Sequence, residues 1–145
     1  MYSNGHMTIE HKENTYRFGL RGQNWLEDRF IEFGYSLYQK NLKRIGLELD
    51  LIMFKYIQEK NILMIHIVEV KTRRILGQDL DLDQFNIRRK LHKVKQIMFD
   101  IPPDVKGFAN IYNCKHVITF DLAVVLDKGN TFKLHKYIQN VNLLL

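Results

Sequence analysis

The stretch "LELDLIMFKYI" (residues 47–57), "QEKN" (58–61), "ILMIHIVEVKTRR" (62–74) decides the fold. Two apolar runs flank a polar four-residue turn, and this pattern predicts an antiparallel hairpin. Both runs are apolar at successive positions, as in a strand covered on both faces. Yet the second run ends with Glu69 and Lys71 two apart, followed by Arg73 and Arg74. Charges inside buried structure are costly unless they are paired or bound to an ion.

A tight turn centred between Glu59 and Lys60 places Ile57 opposite Ile62. Continued outward without a bulge, that register sets Asp50 opposite Glu69 and Glu48 opposite Lys71. Side chains alternate along a strand, and directly opposed residues share a face. Four ionisable groups therefore converge at the open end of an otherwise apolar hairpin. Two readings stand side by side. In one, these are solvent-facing charges near strand ends, with Glu48 and Lys71 as a surface pair. In the other, Asp50 and Glu69 need a cation or a shared proton between them, because opposed like charges are destabilising. A hard divalent ion such as Mg2+ binds through one or two carboxylates and keeps water for a phosphate. A nearby lysine then orients water or steadies a phosphate oxygen.

Around the hairpin, "NWLEDRFIEFG" spaces its apolar residues as a helix does, with Asn24 as a candidate cap and Gly34 at the stop. "YSLYQKNL" alternates like a short strand. Residues 84–99 read as a second helix after Asp83, with Ile87, Leu91, Val94 and Met98 on one face and Arg88, Arg89, Lys90, Lys93 and Lys95 on the other. Proline ends it. "HVITFDLAVVLD" is a strong strand, "DKGN" a turn, "TFKL" a short edge strand and "HKYIQNVNLL" a closing helix. The order helix, three strands, helix, strand predicts an α/β layer fold with a mixed sheet flanked by helices. Residues 1–15 read as a flexible polar leader and residues 16–145 as a single domain.

The chain has 145 residues, a formal charge of +6 and an isoelectric point near 9.4, which favours an anionic partner. Its single cysteine, Cys114, excludes an internal disulfide and a cysteine-rich zinc site. The six histidines lack zinc-ligand spacing. No segment is apolar for long enough to span a bilayer, and the first fifteen residues lack the apolar core of a signal peptide. A cytoplasmic location and no membrane partner are expected.

The combination "ELDLIMF…IVEVKTRR" resembles the YraN-like family of bacterial proteins, within the restriction-endonuclease-like PD-(D/E)XK superfamily. The pattern is an asparagine, a short basic loop, Glu-Ile-Asp-Leu-Ile, a strand, then Val-Glu-Val-Lys-x-Arg. Asn41, then Lys43 and Arg44, then residues 48–52, then residues 68–73 follow it here. Lys90 and Lys93 match a lysine-bearing second helix, and "ITFDLAVVLD" a strand with a Phe-Asp pair. The likeness runs over about residues 22–142. Two departures stand out. The first helix of the pattern carries a glutamate eleven residues before its closing glycine, where this chain has Gln23; Glu27 lies one helical turn later. Leu47 replaces the glycine before Glu-x-Asp.

The resemblance implies a restriction-endonuclease-like mixed sheet and a metal-dependent nuclease acting on DNA, including branched or structured DNA; a non-catalytic nucleic-acid-binding module on the same fold is the alternative. It implies that Asp50, Glu69 and the Val70 carbonyl hold Mg2+ or Mn2+. Lys71 would position water or phosphate, Glu48 would hold Lys71, and Gln23 or Glu27 would complete the site. Arg73, Arg74, Arg89, Lys90, Lys93 and Arg21 would meet backbone phosphates. Homodimer formation is compatible with it. Other residues have plainer readings. His66 alternates away from Glu69 as a packed histidine. Asp121 is either part of the pattern or a strand carboxylate meeting a lysine or arginine. "FGLRG" (residues 18–22) is either a phosphate grip or an ordinary loop.

Overall fold

A computed structural model of the chain describes residues 13–44, 47–74 and 114–139. Among them are one helix, α1 (Thr15–Glu32), and five strands, β1 (Ser36–Arg44), β2 (Leu47–Ile57), β3 (Ile62–Arg73), β4 (Lys115–Asp127) and β5 (Phe132–Ile138). The strands form one mixed sheet in the order β1-β2-β3-β4-β5. β3 and β4 are parallel, and the other neighbours are antiparallel. A parallel pair needs a crossover connection, so residues 74–114 must return the chain to the start of β4. The helix predicted at residues 84–99 lies in that connection, outside the described residues.

α1 starts well before the predicted Asn24. Asn14 caps it, its side chain accepting from the Arg17 N–H at 2.7 Å. "FGLRG" is therefore helical rather than a loop. Packing overrides its glycines: Phe18, Gly22 and Leu26, one turn apart, are all buried. Gly22 permits a close approach, since a Cβ there would lie 2.2 Å from Thr72 Oγ1. The predicted stop holds. Gly34, at φ 89°, takes the left-handed position, with Gly34 N–H donating to Ile31 O and Tyr35 N–H to Phe30 O. The Phe30 and Tyr35 rings meet edge to face at 5.3 Å beside that cap.

The hairpin register is the predicted one from Ile57↔Ile62 to Leu51↔Val68. Asn61, at φ 52°, closes its turn. Beyond Leu51↔Val68 the two strands continue, β2 back to Leu47 along β1 and β3 on to Arg73 along β4. The first part of the expected closing helix departs from expectation, and its residues 140–144 lie outside the described residues. His135, Lys136, Tyr137 and Ile138, predicted as helix, extend β5 instead. Pairing along β4 decides this, with Tyr137 opposite Ala123 and Ile138 opposite Leu122.

The sheet is apolar on both sides. Leu51, Met53, Val68, Ala123 and Val125 face α1 around Leu26. Leu49, Ile52, Ile65, Ile67 and Leu122 form a second cluster on the opposite face. No described helix is long and apolar enough to cross a membrane.

Candidate functional site

The candidate site lies where β2 leaves β3. Regular alternation holds along β3. His66, Val68, Val70 and Thr72 point to the α1 side, while Ile65 and Ile67 point away, and Glu69 and Lys71 with them. Alternation fails on β2. Leu49 and Ile52 both belong to the cluster remote from α1, so one residue between them is out of phase. Asp50 occupies this break. Its Oδ2 accepts the backbone N–H of Val70 at 2.8 Å, which directs the carboxylate into the seam between the strands.

Glu69 is buried, at 8% exposure, and its Oε2 lies 3.2 Å from the Lys71 ammonium. The Lys71 side chain is 41% exposed, so the pair runs from the interior to solvent. Glu48 lies opposite Lys43 on β1, and the Lys71 ammonium lies on Glu69. The paired register of β2 and β3 extends to Leu51↔Val68 and does not reach Glu48.

Gln23 is buried on α1 and donates from Nε2 to Asn41 Oδ1 at 3.1 Å. Asn41 lies opposite Asp50, between the pairs Lys40↔Leu51 and Leu42↔Leu49. The helix position that departs from the family pattern thus sits one strand away from the Asp50 seam. Glu27 is engaged elsewhere, its Oε1 accepting from Lys40 Nζ at 3.0 Å.

Two of the expected phosphate contacts belong to a half-exposed ion-pair cluster. Arg21 donates to both Glu13 oxygens at 2.7 and 2.8 Å, and Asp127 lies 4.0 Å away. Arg74 lies 3.4 Å from Glu13 and 3.5 Å from Asp127, and its guanidinium covers the Phe18 ring at 4.0 Å. The hydrogen bond from Arg21 pulls the Glu13 carboxyl below its ordinary value, and the same bond raises Arg21. Two acids thus offset two arginines. Glu13 and Asn14, expected in the leader, are tied to α1. Arg73 is exposed and donates to the Thr72 carbonyl. Arg89, Lys90 and Lys93 lie outside the described residues.

A second polar group is buried on the α1 side. His66 Nδ1 lies 2.8 Å from both Asp121 Oδ2 and Thr119 Oγ1, and Tyr137 donates its hydroxyl to the same Asp121 oxygen. Tyr35 Oη is 3.5 Å from His66 Nε2, with the Phe30 ring beside His66 and Tyr137. His66 is packed, as its alternation predicted. Asp121 meets a histidine and a tyrosine among the described residues. Burial, then the Asp121 charge, push the Tyr35 and Tyr137 phenols up, Tyr137 far above the ordinary range. The residue types are visible in the sequence, but the parallel β3–β4 register that joins them is not.

Carboxylates such as Asp50 and Glu69 and a backbone carbonyl such as that of Val70 are the donor types that a Mg2+-class ion takes, an ion that uses few protein ligands and completes its shell with water and phosphate. Among the described residues, no group of three or more histidine, cysteine, aspartate or glutamate side chains is arranged to hold a metal. Comparison of the chain with protein-family models and with curated proteins gives no match.

Proposed function

We propose that the chain is a metal-dependent phosphodiesterase that hydrolyses DNA, branched or structured DNA included, at the Asp50–Glu69–Lys71 seam. One observation carries this reading. The Asp50 carboxylate leaves strand alternation to meet the Val70 N–H, next to a buried glutamate whose lysine partner reaches solvent. A sheet built only for stability gains nothing by ending its ladder at two carboxylates. Asp50, Glu69 and the Val70 carbonyl would hold Mg2+ or Mn2+. Bound there, the ion would supply charge neutralisation at the scissile phosphate and would lower the pKa of a water. The Val70 N–H orients Asp50. Lys71 is exposed enough to exchange Glu69 for a phosphate oxygen, or to orient the attacking water. The net charge of +6 favours an anionic polymer, with affinity that falls as salt rises.

The second reading is a nucleic-acid-binding module that does not cut. It is favoured by Gln23, a buried amide bonded to Asn41 at the helix position where the resembling pattern carries a carboxylate. Cleavage of linear, nicked, flapped and four-way DNA with Mg2+ or Mn2+ separates the two. The nuclease reading expects Lys71→Ala and Asp50→Asn each to abolish cleavage while most DNA binding remains, because charge neutralisation matters most in the transition state. Binding without any cleavage by the wild type selects the second reading. Cleavage gained by Gln23→Glu would then identify a nuclease scaffold lacking one acidic group.

A further inference from the structure

Two asparagines have left-handed backbone, Asn41 and Asn61, both at φ 52°. Asn61 closes the β2–β3 turn, where such a conformation is ordinary. Asn41 is inside β1, where extended backbone is the rule. A left-handed residue within a strand shifts every later side chain relative to the earlier ones, and the contacts follow that shift. Lys40 reaches Glu27 and Asn41 reaches Gln23, so two consecutive residues of β1 address α1. Leu42 then joins the cluster on the opposite face.

The same extra step occurs directly across the ladder. Lys40 is paired with Leu51 and Leu42 with Leu49, so Asn41 faces Asp50, and Asp50 is the out-of-phase residue of β2. The paired strands therefore change phase together. At this level β2 leaves β3, and the Asp50 carboxylate takes the Val70 N–H. Backbone outliers of this kind gather at functional sites when the surroundings enforce them. Here the buried Gln23 amide on α1 donates to the Asn41 side chain.

We infer that Asn41 is the positioning residue of the Asp50–Glu69 site: its left-handed backbone, tied to α1 by Gln23, shifts the phase of β2 so that Asp50 reaches Val70. Asn41 touches neither substrate nor metal in this role; it acts through Asp50. The site it serves is the one on which the nuclease reading rests, but its effect on Val70 is measurable without metal or DNA.

The test is amide hydrogen exchange on the full chain, read at Val70 with Ile65 and Ile67 as internal controls. Asn41→Gly keeps access to the left-handed backbone, whereas Asn41→Val resists it. In Asn41→Val, exchange at Val70 is expected to rise about tenfold or more over the controls, and in Asn41→Gly to stay near wild type. If Asn41→Val does not fold, Asn41→Ala replaces it, with the same expectation on a smaller scale. Equal Val70 protection in wild type and the valine or alanine variant overturns the inference. So does equal loss in the glycine variant. Mn2+ titration followed by electron paramagnetic resonance provides the second readout. Mn2+ affinity should fall about tenfold or more in Asn41→Val and be retained in Asn41→Gly. If the wild type binds no Mn2+ while Val70 protection still follows residue 41, the positioning role stands and the metal reading fails.

Discussion

Asp121 and Glu69 are buried carboxylates on neighbouring strands, one register step apart, since Val68 pairs with Asp121 and Glu69 with Leu122. They occupy opposite faces of the sheet. Asp121, fully enclosed beneath α1, is met by a histidine and a tyrosine that are themselves largely buried. Glu69 is met by a lysine whose ammonium lies at the protein surface. The first carboxylate has interior donors and serves the packing of α1 on the sheet. The second has a partner that can be exchanged for something arriving from solvent. The two buried carboxylates thus differ in the exposure of these partners, not in their own burial.

Removing each acid should expose the difference. Asp121→Ala deprives His66 and the Tyr137 hydroxyl of their common acceptor inside the core, and a loss of about 3 kcal/mol is expected. Glu69→Gln should cost about 1 kcal/mol or less, because Lys71 recovers hydration. Urea unfolding of the two variants measures both values. Equal losses would break the distinction.

The next effect tests the anchor between α1 and the end of β3. A Cβ at Gly22 would lie 2.2 Å from Thr72 Oγ1 and 2.7 Å from Thr72 Cγ2. Gly22→Ala should therefore destabilise by about 2 kcal/mol through overpacking. Thr72→Ala should recover much of that loss, since Thr72 Oγ1 is buried without a hydrogen-bond partner among the described residues and little is forfeited with it. Additive losses in the double variant would show that α1 shifts rather than clashes.

These particular residues also show how far sequence reading reaches. The hairpin register was legible because "QEKN" fixes it locally, and it holds as far as Leu51↔Val68, one step short of Asp50. The break at Asp50 was not legible. It depends on a left-handed asparagine on another strand and on an amide from α1, neither of which leaves a periodic trace. The start of α1 was hidden for a similar reason. Gly19 and Gly22 lower helix propensity, and only the close contact with Thr72 explains why a glycine is useful there. "HKYI" has too little alternation to signal a strand, so these four residues read as helix, whereas pairing with β4 determines their conformation.

A smaller effect concerns the donor side of Asp121. Tyr137→Phe removes one hydrogen bond to the carboxylate and should cost about 1 kcal/mol at neutral pH. Its pH dependence is more informative. Burial and the Asp121 charge favour the neutral phenol in the folded state. The stabilisation by Tyr137 is thus complete below the ordinary tyrosine value of about 10 and erodes as pH rises above it. Thermal unfolding of wild type should weaken at alkaline pH more steeply than that of Tyr137→Phe. Parallel curves would mean that Tyr137 is not enclosed with Asp121.

The smallest effect comes from a third carboxylate, which extends the comparison to the surface. Glu13 accepts from Arg21 and lies near Arg74, both about half exposed. The Arg21 hydrogen bond holds its pKa below the ordinary glutamate value. A depressed folded pKa means stabilisation that is present above the unfolded value and lost as pH falls through the folded one. Glu13→Gln should therefore lower the thermal midpoint slightly at neutral pH. The difference should shrink in strong acid, where the wild-type side chain is itself neutral. Added salt should shrink it at neutral pH as well, because exposed pairs are screened. A Glu13 effect that persisted in strong acid would show that its side chain contributes by packing against Arg21 rather than by charge.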